Sequence, residues 1–568
     1  MIPEIPPALF WILGALLLPA LPRLWRPAIL VAAPALGLAT IIALPEGAEI
    51  TARFLDYELV FLKTDGLSRM FGIAFGLVGI AAAVYAWHVR DLRQQLGMLF
   101  YSGGGIGVVF AGDFFTLLIF WEIMAVASAV IVWTGGTKES GGAGYRYLMY
   151  HVVGGSVLLG GIVVHVFSSG SIDIVAFANE GAGLGAILIL IGVLVNTGFP
   201  PLHSWLPDAY PRASIAGSVF LSAFTTKTAV YVLARCFPGW DLLFIGGVVM
   251  ALYGVCYAMF SNDIRQILSY HIISQVGYMV AAIGIGGDFA INGASAYAYN
   301  HLFYKALLFM GAGAIIYTVG ESRLTHLGGL ARKMPWIVIF YLVGGASISG
   351  IPLFNGFVSK GMVTDAASAY LPAYYLLNLA SVGTFLSVGV KLPYFAWFYR
   401  DRGLELKRPV PRMMVVAMGF LAFMCLLYGI APQVQFTHLP FPVDYSAYQM
   451  GAIAKAMQLQ IFTFVVFWFF REQLLGPAKV VLDLDWFYRR PAGFYRTVFV
   501  DGVSAVFSGA LRVTLFLTDI GIAIARNPVH FWRMSGERFD ADRDRAPLGP
   551  NLALALLVAV VLSLLLIS

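Results

Sequence analysis

Five ionisable side chains lie inside strongly apolar stretches of this sequence: Glu122, Lys227, His301, Lys305 and Lys391. His301 and Lys305 are four residues apart, so on a helix they would share one face. If these stretches cross a membrane, each charge at the bilayer centre costs at least about 2.5 kcal/mol. We therefore interpret the five residues as functional candidates rather than as incidental charges.

The choice of basic residue indicates proton chemistry. The chain has 26 Arg and only 10 Lys, yet the bases deep in the apolar stretches are Lys and His. Lys and His can change protonation when they are desolvated, whereas Arg effectively cannot. The pattern predicts a proton relay through the middle of the protein.

Several of these residues also have purely structural explanations. Glu122 could pair with a lysine only to fix helix packing, and Lys305 could extend its ammonium towards a membrane surface. A histidine on an apolar helix is often a satisfied packing residue, and this is the main interpretation of His151, His165 and His271.

Two stretches rich in proline and glycine interrupt the helical pattern at membrane depth, at 198–211 and 349–360. Proline removes a backbone donor and clashes with the previous turn, so a helix breaks there. Broken helices in lipid persist only when they are buried in protein or line a wet cavity, and paired breaks are typical of inverted-repeat transporters. The alternative is that both stretches are short loops at the membrane surface. Lys360, at the end of the second stretch, would then mark a helix end rather than line a cavity.

Composition favours a membrane protein. Of the 568 residues, 60% are hydrophobic and only 12% are charged, which nearly excludes a soluble enzyme, a nucleic-acid binder and a disordered scaffold. We predict an all-α polytopic membrane protein with about sixteen transmembrane helices. The expected spans are 8–22, 27–44, 67–87, 96–111, 114–133, 145–168, 183–200, 213–235, 241–260, 264–286, 290–318, 336–354, 372–399, 412–431, 456–471 and 551–568.

Lys and Arg are concentrated in alternate loops. The loops that contain Arg90, Lys333 and Lys407 are basic, whereas those at 169–182 and 286–289 have no Lys or Arg. Because basic loops stay on the cytoplasmic side, the chain is expected in a bacterial-type inner (plasma) membrane with its N-terminus outside.

The last quarter of the chain has a different pattern. Residues 476–548 mix apolar runs with many charges, and we predict a lateral amphipathic segment along the cytoplasmic surface. The expected organisation is an antiporter-like core at 1–431, an additional transmembrane helix at 432–475, this lateral segment, and a final transmembrane helix at 549–568.

Taken together, six short motifs resemble one membrane-protein family. In chain order they are Phe120-Trp-Glu-Ile-Met, Pro200-Pro-Leu-His-Ser-Trp-Leu-Pro-Asp-Ala, Thr226-Lys-Thr-Ala-Val-Tyr, Ser269-Tyr-His-Ile-Ile-Ser-Gln-Val-Gly-Tyr, His301-Leu-Phe-Tyr-Lys-Ala-Leu-Leu-Phe and Gly350-Ile-Pro-Leu-Phe-Asn-Gly-Phe. They are similar to the antiporter-like subunits shared by Mrp-type Na⁺/H⁺ antiporters, most of all their D-type member, and respiratory complex I. The resemblance covers roughly residues 60 to 400 in the right order.

The resemblance implies a fourteen-helix core of two inverted five-helix repeats with broken helices. It also implies a charged row at the membrane midplane. In that row Glu122 is the carboxylate of the first half-channel, Lys227 the central lysine, His301 and Lys305 the bridge, and Lys391 the terminal base of the second half-channel.

One position departs from the family pattern. Many relatives have a lysine before the Pro-Leu-His-Ser-Trp-Leu-Pro run, as the partner of the carboxylate, and here the position is Asn196. An amide does not titrate, which puts the usual Glu and Lys switch in doubt. With Asn196, the residues His271, Lys360 and Arg265 are secondary candidates for a relay or a cavity.

Three functions follow from this pattern. The first is a proton-translocating subunit of a multisubunit monovalent cation (Na⁺)/proton antiporter, a transporter subunit rather than an enzyme. The second is the proton-pumping membrane subunit of a complex I-like or hydrogenase-like redox complex. The third is a membrane scaffold of an ion or inorganic-carbon uptake complex with a partly lost channel. The expected partners are other membrane subunits, protons, Na⁺ or another monovalent cation and the lipid bilayer; no cofactor, metal or nucleic acid is expected.

Overall fold

The chain folds mainly into helices in the computed structural model, which describes residues 5–475, 483–526 and 548–567. This confirms the predicted helical membrane class. The helices follow one another in the order α1 Ala8–Leu17, α2 Arg26–Ala43, α3 Gly66–Tyr85, α4 Leu92–Phe110, α5 Phe114–Trp133, α6 Lys138–Ser169, α7 Leu184–Thr197, α8 Trp205–Ala209, α9 Ile215–Ala223, α10 Thr225–Cys236, α11 Asp241–Phe260, α12 Ile264–Ile285, α13 Gly287–Val319, α14 Pro335–Ser349, α15 Asn355–Ala366, α16 Leu371–Thr384, α17 Arg412–Ile430, α18 Gln433–Phe436, α19 Met450–Leu475, α20 Asp485–Arg489, α21 Ala492–Tyr495, α22 Val503–Arg526 and α23 Leu548–Ile567.

Many of these helices have the length and composition of membrane spans. Twelve helical segments of the described chain are long and apolar enough to cross a bilayer, and four more apolar helices are shorter. The chain is therefore an integral membrane protein. The sixteen spans expected from the sequence stay a prediction. α4, which was expected to span, is neither among the twelve long segments nor among the four shorter helices, and the continuous helical stretch Ala492–Ala525 is a candidate that was not expected.

Three helical spans form the centre of the bundle. The most apolar stretches of α12, of the span α9–α10 and of α13 are 100%, 94% and 89% buried, respectively. Glycines bring α11 and α12 into close contact: a Cβ at Gly247 would lie 2.2 Å from the backbone nitrogen of Ala281. Such close packing between apolar helices relies on van der Waals contact, which is the main attraction available inside a bilayer.

A short antiparallel hairpin lies between α2 and α3, with β1 at Glu49–Phe54 and β2 at Tyr57–Lys63. The sequence pattern did not indicate it. β2 packs against α4 and α5, and the backbone N–H of Val60 donates a 2.7 Å hydrogen bond to the Asp113 carboxylate. The same carboxylate caps the N-terminus of α5 and so connects the hairpin to the helix that contains Glu122.

The structure divides into two compact units, residues 1–484 and 485–568. The first contains α1 to α19. In the second, α22 is amphipathic and most of its described side chains are exposed. The parts of the predicted lateral segment at 476–482 and 527–547 lie outside the described residues, and the four-part organisation of the chain stays a prediction.

Candidate functional site

Both predicted breaks are interruptions between helices. α7 ends at Thr197, where Gly198 takes a left-handed backbone with φ +76°, and the chain resumes as the short helix α8. α14 ends at Ser349, where Gly350 has φ +72°, and α15 starts at Asn355. Glycine adopts this conformation without the steric cost of a Cβ, so both helices stop at these residues.

A third interruption places Lys227. α9 ends at Ala223 and α10 starts at Thr225, so the helix is interrupted at Phe224, two residues after Ser222. The buried ammonium of Lys227 donates a 2.6 Å hydrogen bond to the carbonyl of Ser222. No proline or glycine marks this break, so it was not predictable from the local residue pattern.

His301 and Lys305 lie on α13, and both are fully buried. Neither ring nitrogen of His301 and no donor of the Lys305 ammonium has a hydrogen-bond partner among the described residues. The Lys305 Nζ lies 5.9 Å from the centre of the Phe309 ring. Lys227 is close enough to both residues for their charges to interact.

His271, on α12, extends this group towards the second break. Its Nε2 lies 2.6 Å from the Ser387 hydroxyl, and the charges of Lys305 and Lys360 both act on its ring. We call Lys227, His301, Lys305, His271 and Lys360 the central row; they come from four helices, α10, α12, α13 and α15.

Lys360 is held at the second break. Its Nζ donates to the carbonyl of Ile348 at 2.9 Å and to the Ser381 hydroxyl at 3.2 Å. It also lines a cavity of about 350 Å³ between α15, α16 and α19, whose wall includes Asn378 and Lys455. A role for Lys360 in a relay stays a prediction.

Lys391 occupies a distorted helix. After α16 the backbone continues with wide π-helical turns at Phe385–Lys391 and Tyr394–Phe398, on either side of Pro393. The Lys391 ammonium donates a 2.7 Å hydrogen bond to the carbonyl of Met259 at the end of α11.

Glu122 lies on α5 and is half-buried. Its carboxylate fills the space beside Gly155 on α6, where a Cβ would approach within 1.9 Å of Oε1. On its other side it lines an open, mostly apolar groove of about 560 Å³ between α4 and α5, with Arg93 among the lining residues. The described part of the chain provides no ion-pair partner for this carboxylate.

Asn196 and Arg265 have specific neighbours. Asn196, at the end of α7, is fully buried, and its Oδ1 lies 2.7 Å from Nδ1 of His151. Arg265, at the start of α12, donates a 2.9 Å hydrogen bond to the carbonyl of Ala213. It connects the base of α12 to the loop before α9.

Sequence reasoning missed a second polar cluster, at the first break. The carboxylate of Asp483 is buried and accepts hydrogen bonds from His203 at 3.1 Å, from Tyr270 at 2.6 Å and from Tyr253. Burial by itself would raise the pKa of Asp483, but the hydrogen bonds favour the ionised carboxylate and lower the pKa to about 2. His203 and Asp483 are 280 residues apart in the chain, so spacing alone could not have paired them.

Comparison with known proteins gives consistent matches. The family model described as "NADH:quinone oxidoreductase/Mrp antiporter, TM" matches residues 111–387. The D component of the Na⁺/H⁺ antiporter of Alkalihalophilus pseudofirmus is 31% identical over 333 residues, which cover 54% of this chain and 67% of the relative. Component B of hydrogenase-4 from Escherichia coli is 26% identical over 437 residues, which cover 68% of this chain and 65% of that protein.

The fold itself also has a solved counterpart. A chain of the Mrp complex from Dietzia sp. DQ12-45-1b superposes with a TM-score of 0.69 at 22% identity, covering 84% of this chain and 100% of that one. At this level of identity the similarity concerns the fold.

Proposed function

Because the chain belongs to the NADH:quinone oxidoreductase/Mrp antiporter transmembrane family, we propose that it is the proton-translocating subunit of a multisubunit monovalent cation/proton antiporter. Its relatives include antiporter subunits and a hydrogenase component. Both kinds of relative support an antiporter-type membrane subunit.

The observation that carries this proposal is the central row. Its five members are buried by at least nine-tenths, and two of them, His301 and Lys305, have no hydrogen-bond partner among the described residues. Uncompensated buried bases destabilise a fold, so they persist where function requires them. The helices that carry them are packed together, since α12 and α13 each contact both α10 and α15, so a proton on one base disfavours a proton on the next.

The mechanism follows from this repulsion. A proton that arrives at Lys227 makes a second positive charge beside Lys305 and His301 unfavourable, so those groups release a proton onwards. His271 accepts the released proton on its ring nitrogen and then gives it to Lys360. The cavity beside Lys360 provides the exit, and Lys391, the expected terminal base, belongs to the same second half of the chain.

The carboxylate of Glu122 is the entry group of the first half. It lies at a groove on the outer face of α4 and α5, where a neighbouring membrane subunit would cover it. The coupled ion is Na⁺ or another monovalent cation, and the assembly resides in a plasma membrane with the N-terminus of this chain outside. The motive force is an ion gradient.

A redox-driven complex is the second candidate, because the similarity to hydrogenase-4 component B is as extensive along the chain as that to the antiporter subunits. In that case electron transfer in other subunits would drive proton movement along the same central row. Iron–sulfur or flavin subunits that copurify with the chain would favour this alternative.

The test is proton and Na⁺ flux in membrane vesicles that carry this chain together with the products of its neighbouring genes. We expect Lys227→Ala, Lys305→Ala and Lys360→Ala to abolish flux, and Glu122→Ala to reduce it strongly. Loss of flux in Lys391→Ala would show that the proton path continues beyond Lys360 to Lys391, and unchanged flux would show that it ends at Lys360. Lys333→Ala, in an exposed loop, is the matched control. Unchanged flux in every row variant would contradict the proposal.

A further inference from the structure

His151 is a buried histidine that the relay described above does not use. It lies on α6 with 1% of its surface exposed, and its ring packs against Tyr147 at 4.2 Å and Trp205 at 4.8 Å between ring centroids. A phenylalanine could provide the same packing. The polar contacts of the imidazole therefore decide what this residue contributes.

Asn196 fixes the tautomer of His151. The Oδ1 of Asn196 lies 2.7 Å from Nδ1, and since an amide oxygen only accepts hydrogen bonds, Nδ1 carries the proton. In the neutral ring, Nε2 then presents a lone pair. Neither this Nε2 nor the Nδ2 of Asn196 has a hydrogen-bond partner among the residues that the structure describes, so the pair leaves a buried proton acceptor free.

The Glu122 carboxylate contacts α6 one helical turn from His151. Gly155 follows His151 by four residues on α6, so the two share one face at about 5–6 Å between Cβ positions. The Glu122 carboxylate occupies the space directly beside Gly155, 1.9 Å from where a Cβ would be. On this face of α6, in the direction of its N-terminus, His151 is therefore the next ionisable side chain after the position of the Glu122 carboxylate.

Further towards the N-terminus of α6, hydroxyl groups lie between His151 and the start of α10, the helix that carries Lys227. Tyr147 precedes His151 by four residues, and its hydroxyl lies 3.4 Å from that of Thr225. Thr225 is two residues from Lys227 on α10 and also lies 2.7 Å from the Tyr101 hydroxyl. Residues of α6 thus extend from the entry carboxylate to the start of the helix that carries the first lysine of the central row.

The surroundings of His151 contain few competing charges. The ionisable side chains on the described elements packed against α6, namely α5, α7, α8 and the turn at Tyr210–Arg212, are Glu122, Asp208, Tyr210 and Arg212. Asp208 is bound by Arg146 and Arg212, which leaves Glu122 as the acid that faces this part of α6.

We propose that His151 is a proton-carrying residue of the first half, between Glu122 and Lys227, and that Asn196 is the positioning residue that keeps its Nε2 available. This inference rests on the proposed function and adds a residue to it. The proton is taken up and released at Nε2, while the Nδ1–H bond to Asn196 stays intact, so no tautomer change is needed.

The experiment compares two histidines of one helix in vesicles carrying the complete complex. His151→Gln keeps a polar side chain that does not titrate, and we expect proton flux to fall about 100-fold, as on removal of a general acid or base. His165→Gln is the matched control, because the described contacts of that ring are with Phe114 and Phe177. It should retain wild-type flux, and immunoblots of the purified complex should show equal assembly.

A second variant acts on His151 without replacing it. Asn196→Leu removes the acceptor of the Nδ1 proton, so we expect the flux to persist but its dependence on pH to shift. Loss of flux in Lys227→Ala with wild-type rates and pH profiles in both His151→Gln and Asn196→Leu would overturn this inference alone. Absence of flux in the wild-type complex would overturn the proposed function, and this inference with it.

Discussion

Lys227 and Lys305 illustrate how differently two buried lysines can be held. The ammonium of Lys227 donates to the Ser222 carbonyl, whereas that of Lys305 has no hydrogen-bond partner among the described residues. A buried donor without an acceptor costs free energy, so Lys305 weakens the fold that contains it. Because only Lys227 has a hydrogen-bond partner, replacing the two lysines should change stability differently even if both replacements abolish transport.

We predict opposite stability changes for two otherwise identical substitutions. Lys305→Met removes a buried donor that has no acceptor among the described residues and keeps the volume, so thermal unfolding of the purified chain should occur at the same or a higher temperature. Lys227→Met leaves the Ser222 carbonyl without its donor and should cost about 1 kcal/mol. Both should lose proton flux. A Lys305→Met variant that unfolds earlier than Lys227→Met would contradict this account of the site.

At the scale of elements, helix α6 positions the residues of the first half of the proposed proton path. It is 32 residues long and packs against α5, α7 and α8. Two of its glycines differ in their surroundings: Gly155 faces the Glu122 carboxylate, whereas a Cβ at Gly160 would meet nothing within 4 Å. They form a natural pair for testing whether the position of Glu122 matters.

We predict that Gly155→Ala impairs flux, because its Cβ must displace the Glu122 carboxylate. Gly160→Ala should leave flux unchanged and stabilise the helix by up to about 1 kcal/mol, since alanine has the higher helix propensity. Flux in vesicles and thermal unfolding measure the two effects. Equal flux in both variants would show that Glu122 tolerates displacement and is not an entry group.

At the scale of the whole molecule, Asp483 connects distant parts of the first unit. Its carboxylate accepts from His203 beside the first break and from tyrosines of α11 and α12. The pKa of this carboxyl is lowered from 3.8 to about 2. A group with a depressed folded pKa stabilises the fold above its unfolded pKa and loses that contribution as the pH falls through the folded value.

We therefore predict that the contribution of Asp483 is fully present above about pH 4 and is lost towards about pH 2. Asp483→Asn should lower the unfolding temperature near neutral pH and lose less additional stability than wild type across this acidic range. Asp501→Ala, at an exposed ion pair with Arg496, is the control and should unfold like the wild type under both conditions. Parallel pH curves for wild type and Asp483→Asn would contradict this prediction.

The membrane class, the two breaks and most members of the central row could be predicted from the amino-acid sequence. These features follow from local rules: apolar stretches of bilayer length form spanning helices, paired glycine and proline stop them, and a lysine among apolar residues stands out. His301 and Lys305 could be placed on one helix face from their spacing alone.

Which of these residues meet depends on the packing of the helices and could not be predicted. Lys360 binds Ile348 and Ser381 at the second break, whereas Lys391 binds the end of α11. His151, interpreted as packing, has a partner in Asn196, and Asp483 has one 280 residues away in His203. Helical periodicity fixes the face on which a side chain lies, but the neighbour of that face is set by contacts between helices that are remote in the chain.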